Sequence, residues 1–424
     1  METCENNMIV VPEEPARPGV EMAGEGGQGL YAASASKPSL SRLMVIALAV
    51  TCGVAVANIY YAQPLLATMA KDFRVPEASI GIVITVTQMC YGVGLLLLVP
   101  LGDLLNRRWL IVGQLLLSAL ALLVVVTAPT APVWLIGIGV VGSLATVVQA
   151  VVAYAAVLAA PSERGRTVGL VTSGVVIGIL LARTIAGVLA DLAGWRSVYA
   201  VSALLALLMA AIVFRVLPSY EKAKTPLSYP QLLRSICVLF MHEHLLRIRA
   251  VLALLIFAAF SILWTSLSLP LSAPPFSFSH TLIGSFGLVG IAGVLAARRA
   301  GSLADRGLEQ WTTGVALLLL LASWLPISLI KHSLLALIVG IVLLDLAVQA
   351  VHVTNQSMIY HVRPDALSRL AASYMIFYSI GSAAGSIAST MVYVHAGWIG
   401  VSLLGAAVSV VALLFWALTA MMTF

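Results

Sequence analysis

Charge is what this sequence has least of. Only 9% of its 424 residues are Asp, Glu, Lys or Arg, where soluble domains use about a quarter, so a water-facing surface of this size is excluded. Cysteine is scarce too. Cys4, Cys52, Cys90 and Cys237 stand far apart, with neither metal-ligand spacing nor a disulfide pattern. A Gly-rich phosphate loop, zinc-ligand spacing and a nucleophile motif are all missing, which argues against ATP drive and covalent catalysis. The chain is therefore not read as an enzyme, and no cofactor or metal is expected.

What is present is apolar. Hydrophobic residues make up 61% of the chain and the mean hydropathy is +1.05, the signature of a membrane protein. A hydrocarbon core of about 30 Å needs about 20 apolar residues in helix. Twelve runs meet that need, near 43–67, 79–101, 109–128, 132–160, 167–190, 197–217, 250–271, 282–299, 311–330, 334–360, 370–392 and 399–421. The organisation read from them is a disordered cytoplasmic tail (1–42), a six-helix bundle (43–217), a cytoplasmic linker (218–249) and a second six-helix bundle (250–424). The tail lacks a basic start followed by a short apolar core, so it does not read as a signal peptide. Within the linker, Leu232, Leu233, Ile236, Leu239 and Phe240 recur at helical intervals among basic residues, predicting a helix lying along the membrane surface.

Of the 23 Lys and Arg residues, eighteen fall on one side of this arrangement if the N-terminus is inside. Four (Lys71, Arg74, Arg196 and Lys331) fall on the other, and Arg183 stands alone inside a span. That asymmetry predicts both termini in the cytoplasm. It makes the net charge of +6 a topology signal, with no nucleic-acid partner implied.

The halves repeat. Gly194-Trp195 in "DLAGWRS" returns as Gly397-Trp398 in "VHAGWIG", and Pro161 and Arg166 return as Pro364 and Arg369, each 203 residues later. Asp103 and Asp305, in corresponding loops, are 202 apart. Two six-helix repeats with a path between them follow.

At these loops the chain resembles the major facilitator superfamily of secondary transporters. The family's G-x-L-A-D-R-x-G-R-R loop is matched in "VPLGDLLNRRWL" by Leu101, Asp103, Arg107 and Arg108, with Val99, Leu104 and Asn106 departing from it. "GSLADRG" keeps Gly301, Leu303, Asp305 and Arg306. The resemblance makes Asp103, Arg107, Arg108, Asp305 and Arg306 gating-loop residues; the plainer reading is that these arginines anchor topology. On the fifth span the antiporter pattern G-x3-G-P-x2-G-G aligns with Gly178, Ala182, Arg183 and Ala186–Gly187. Arg183 replaces the Pro, while small residues at 174, 178, 182 and 186 form one close-packing face. The Arg common on the fourth span of proton-linked exporters is replaced by Gln149. "CGVAVANIYYAQPLL" on the first span resembles the drug and metabolite exporter branch, through Asn58, Tyr60, Tyr61 and Gln63 before Pro64.

The sharpest feature is an acid in an apolar run, Asp345 in "IVLLDLAVQAVHVTNQSMIY". A mid-bilayer charge costs roughly 2.5–3.5 kcal/mol on insertion scales, so it faces a cavity or a partner. Counted at about 1.5 Å per residue, Asp345 is near 16 Å and Arg183 near 10 Å from the outer ends of their spans, which allows a pair. Asp345, Gln349, His352 and Gln356 share one helix face. The resemblance places the tenth span on the central cavity, with His352 the repeat partner of Gln149. Asp345 is expected to carry a proton, with Arg183 and His352 as coupling partners. The alternative is a permanent Asp345–Arg183 pair or a cap for a broken helix. Candidate substrate-lining residues are Asn58, Tyr61, Gln63, Gln149, Gln349, Asn355, Gln356, Trp264 and Tyr378.

The expected protein is a monomeric multi-pass transporter of a bacterial-type inner membrane, its partners a small molecule, protons and the bilayer. The expected activity is proton-coupled export of small amphipathic compounds. A sugar or amino-acid exporter, an uncoupled facilitator and a non-transporting sensor or scaffold are the alternatives.

Overall fold

A computed structural model of the protein describes residues 41–160, 163–218, 228–291, 293, 299–300, 303, 306–362 and 367–421. Residues 1–40 of the predicted tail, 219–227 of the linker, Pro161, Pro364 and Asp305 lie outside them. Every regular element among the described residues is helical. In chain order they are α1 (Arg42–Asp72), α2 (Glu77–Leu104), α3 (Arg107–Thr127), α4 (Ala131–Leu158), α5 (Arg164–Ala193), α6 (Trp195–Val216), α7 (Tyr229–His242), α8 (His244–Ser272), α9 (His280–Gly290), α10 (Glu309–Ser328), α11 (Leu334–Val362) and α12 (Leu367–Met421).

Ten of these are long and apolar enough to cross a membrane, fewer than the twelve runs in the sequence. Two features account for the difference. α9 covers the start of the eighth run, and residues between Ile291 and Arg306 are described only in part. α12 contains the last two runs, joined without a loop at Gly397, where φ is 62° and the helix breaks. Gly194, its counterpart 203 residues earlier, also has positive φ, 78°. Glycine reaches this left-handed region without strain, so the repeated Gly-Trp pair marks a repeated corner.

Local chemistry sets the other boundaries. Pro64 has no N–H to give, so α1 ends its regular part at Tyr60 and resumes at Leu66 through a 3₁₀ turn, Gln63–Leu65. Asn106 caps the N–H of Arg108 at the start of α3. α7 forms where the linker spacing predicts a helix, opened by a Ser228–Gln231 capping box, with Leu232, Ile236 and Leu239 buried.

In the first half α1 packs on α5 and α6, α3 on α4 and α6, and α2 on α4; in the second, α8 packs on α12 and α10 on α11. The seam between halves is made by α2 with α12 and by α5 with α9. Bare backbone makes these approaches close. A Cβ at Gly174 would strike the Ala49 carbonyl of α1, and one at Gly381 the Leu254 carbonyl of α8. Apolar side chains such as Ile136, Leu204, Leu325 and Leu403 remain exposed, as a lipid-facing rim requires.

Gly174→Ala and Gly381→Ala are each expected to destabilise the protein by about 1–3 kcal/mol through overpacking. Gly113→Ala, with nothing within 4 Å of the added methyl, is expected to be neutral or slightly stabilising. Thermal unfolding of the detergent-purified variants checks the contrast.

Candidate functional site

Two charged side chains are buried at the middle of the bundle. Arg183 on α5 is 3% exposed and Asp345 on α11 is 6% exposed. They belong to opposite halves, and no ion pair of 4 Å or less joins them. Trp264 of α8 stands between. Its ring face receives the Arg183 guanidinium, with Cζ 3.8 Å from the centroid, and its Nε1 donates to Asp345 Oδ1 at 3.1 Å. The guanidinium also lies near the rings of Tyr60 and Phe260, and its Nε donates to Gln63 Oε1 at 2.6 Å. α9 supplies room rather than side chains. A Cβ on Gly287 would press on the Arg183 stem, and one on Gly290 would sit 2.9 Å from Asp345 Oδ2.

A second polar cluster adjoins the first. Tyr60 and Tyr378 share a hydrogen bond across the seam at 3.0 Å. Phe257 packs edge-on against both Tyr378 and His352. His352 Nδ1 meets the Tyr374 hydroxyl at 3.0 Å, and Asn355 donates weakly to the same hydroxyl and to the Arg249 carbonyl, both at 3.5 Å. Arg249 Nη1 in turn donates to Asn355 Oδ1 and Thr313 Oγ1.

Of the residues singled out in the sequence, Arg183, Gln63, Trp264 and Asp345 meet directly, and Tyr378, His352 and Asn355 join through the second cluster. Gln149 lies beside Tyr91, which stacks edge-on with Tyr378. Gln349 packs its stem near Gly293, and Gln356 is half-buried on the same helix. Asn58 and Tyr61 point elsewhere. Asn58 accepts from Ser202 of α6, and Tyr61 lines a lateral groove between α1, α5 and α6. Their polar ends are used within one half, because a small hydroxyl on the neighbouring helix is within reach.

The loop arginines also work within their half. Arg107 pairs with Asp103 at 3.5 Å and donates to the carbonyls of Gly102 and Ala153. Arg108 donates to the Phe214 carbonyl and lies over its ring. Asp103 additionally borders a cleft with Arg369 and Ile236, where the halves adjoin. Arg306 is exposed; Asp305 is outside the described residues.

Three features escape a sequence reading. Arg249, which charge counting assigns to the cytoplasmic surface, is 2% exposed; at the head of an apolar run nothing distinguishes it from an interface anchor. Ser268 looks like one more small residue. The third is a clasp at the end of the bundle that charge counting assigns to the outside. Asp191 of α5 accepts four hydrogen bonds from the start of α9, from the His280 N–H and Nδ1 and the Thr281 N–H and hydroxyl. His280 Nε2 meets Thr68 Oγ1 of α1 at 2.6 Å.

The pattern described as Major Facilitator Superfamily covers residues 48–325. The chain belongs to the major facilitator superfamily. It is similar to "Uncharacterized transporter YgaY" of Escherichia coli O157:H7, 49% identical over 90% of this chain and 97% of that one. It is also similar to "Probable transporter SCO4007" of Streptomyces coelicolor, 30% identical over 90% and 86%. Among solved structures, the fold matches a bacterial homolog of the human lysosomal transporter Spinster, inward-facing and occupied, with a TM-score of 0.73 at 13% identity over 89% of this chain and 96% of that one. This major facilitator protein is thus a multi-pass membrane transporter.

Removing the clasp tests that seam. In a cysteine-free background carrying Thr68→Cys, Asp191→Ala is expected to speed labelling by a membrane-impermeant maleimide several-fold, because His280 and the α9 N-terminus lose their shared acceptor. An unchanged labelling rate shows that the clasp does not hold the seam shut.

Proposed function

We propose that this transporter exports small amphipathic compounds, drug-like or metabolic, in exchange for protons. The working motion is rocking of residues 43–217 against residues 250–424 about the linker, with both termini in the cytoplasm and the monomer as the unit. The observation that carries this reading is the arrangement at the seam: Asp345 is buried without an ion-pair partner among the described residues and is held by the N–H of a ring whose face carries Arg183 from the other half.

The physical argument is about what motion does to a carboxyl group. A buried acid exchanges its proton according to the charges and dipoles that face it. Arg183 and Asp345 stand on opposite halves, so parting the halves changes the charge facing Asp345 without any local unfolding. His352, seven residues along α11 and bonded to Tyr374, lies about two helical turns away and is the second group in the proton route. Gln63, Trp264 and Tyr378 line the way for cargo with neutral polar and aromatic surface.

The test is efflux of a panel of cationic and neutral fluorescent dyes from energised cells, with and without an uncoupler, for wild type and Asp345→Asn. Uncoupler-sensitive efflux that falls to background in Asp345→Asn is the expected result. Efflux that ignores the uncoupler makes the protein a facilitator. An Asp345→Asn protein that keeps the wild-type response to pH and uncoupler removes Asp345 from coupling.

A further inference from the structure

The Arg183 guanidinium is only partly used. Its Nε is bonded to Gln63, while Nη2 is buried and has no hydrogen-bond partner among the described residues. Ser268 Oγ, on a residue 1% exposed, is likewise buried and unpartnered among the described residues. The two side chains line the same small cavity, together with Gln63, Pro64, Trp264 and Ile283. A buried donor left unpaired in a low-dielectric interior is expensive, a charged one most of all, and a guanidinium N–H and a hydroxyl around one space form a site that lacks its acceptor. The cavity leaves about 10 Å³ free, enough for one water-sized group, so anything larger enters only when the halves part.

Asp345 is also partly used. Trp264 takes Oδ1, while Oδ2 lies against the bare backbone of Gly290, where a Cβ would sit 2.9 Å away, and has no hydrogen-bond donor among the described residues. A free donor set and a free carboxylate oxygen are therefore held apart by the same indole ring.

We propose that this site takes a zwitterionic ligand. The anionic group of the ligand binds Arg183 Nη2 and Ser268 Oγ, its cationic group binds Asp345 Oδ2, and its apolar body lies against Trp264, Phe260 and Tyr60. A lone anion leaves Asp345 uncompensated by the ligand, and a lone cation leaves Arg183 with its donors unmet. Only a ligand with both charges answers both groups. This rests on the reading of Asp345 as the exchanging acid: the ligand cation and the proton compete for one carboxylate, so loading the ligand releases the proton and protonation expels the ligand.

The experiment is calorimetric binding to the purified full-length protein in lipid nanodiscs, with L-phenylalanine as zwitterion, its carboxamide as cation and its N-acetyl form as anion. The zwitterion is expected to bind at least tenfold tighter than either singly charged form, and acidification is expected to weaken the zwitterion but not the N-acetyl anion. Ser268→Ala is expected to weaken zwitterion binding about tenfold and Arg183→Gln roughly 10–100-fold, as for lost hydrogen bonds to charged groups. Ser268→Ala removes one hydroxyl and keeps the fold, and the thermal midpoint of each variant verifies that it is folded. Equal binding of the three compounds, no binding of any, or affinities unchanged in both variants overturns the proposal. Zwitterion binding in a protein whose efflux ignores the uncoupler leaves this site standing and removes the exchange reading. Uncoupler-sensitive dye efflux without zwitterion binding does the reverse.

Discussion

The structure turns on keeping a guanidinium and a carboxylate in a membrane interior without fusing them. A direct Asp345–Arg183 pair would satisfy both, but breaking a buried pair costs about 3–5 kcal/mol, and such a pair would lock the halves together. The indole of Trp264 gives each ion a partner and keeps them separate. A desolvated cation–π contact is worth about 2 kcal/mol, and the ring N–H supplies a charge-assisted hydrogen bond at the other edge. Tryptophan alone joins a broad aromatic face to a donor on the ring itself. Phenylalanine has no donor, and tyrosine carries its donor at the far tip. Replacing this contact with tighter chemistry would hold the seam more firmly and move less.

Room for that arrangement comes from α9. Gly284, Gly287, Gly290 and Gly293 are spaced by three, and Phe286–Gly290 is a 3₁₀ helix. With three residues per turn, residues at i and i+3 eclipse one another, so Gly287 and Gly290 stack on one edge within the 3₁₀ turn, and Gly284 before it and Gly293 after it face the same neighbours. That edge meets the Arg183 carbonyl at Gly284, the Arg183 stem at Gly287, the carboxylate at Gly290 and the Gln349 stem at Gly293. The spacing that looks like ordinary helix packing in the sequence therefore shapes the space around both buried charges.

How much of this was readable beforehand depends on whether a feature is axial or rotational. The fold was legible, because run length, charge asymmetry and the 203-residue repeat are properties of position along the chain. Depth counting likewise put Arg183 and Asp345 about 6 Å apart in depth, within the reach of an arginine side chain. Which face each helix turns inward is a packing property, and beyond the polar stripe on α11 and the small-residue face on α5 the sequence named none. Asn58 and Gln63 are five residues apart on one span, yet the first is spent on Ser202 and the second on Arg183. Arg249 reads as a surface anchor because its neighbours Arg247 and His244 are polar, and only the approach of Asn355 and Thr313 from other helices shows that it is interior. The Asp191–His280 clasp joins the end of one span to the start of another, and no local pattern links them.

The seam itself is built from small terms. Besides the Asp191 clasp, it is crossed by Tyr60 to Tyr378, Thr68 to His280, Thr85 to the Ala383 carbonyl, Thr184 to the Gly284 carbonyl and Thr390 to the Ala78 carbonyl. Most of these are hydroxyl hydrogen bonds, each worth about 1 kcal/mol net. No single one decides the state of the protein. A ligand shifts such an equilibrium only by its differential affinity for the two states, and a few kcal/mol is what one charged contact at Arg183 or Asp345 supplies. Apart from the Asp191 clasp, the halves are thus held by bonds weak enough for the two ions that face each other across the seam, Arg183 and Asp345, and whatever binds them, to overcome.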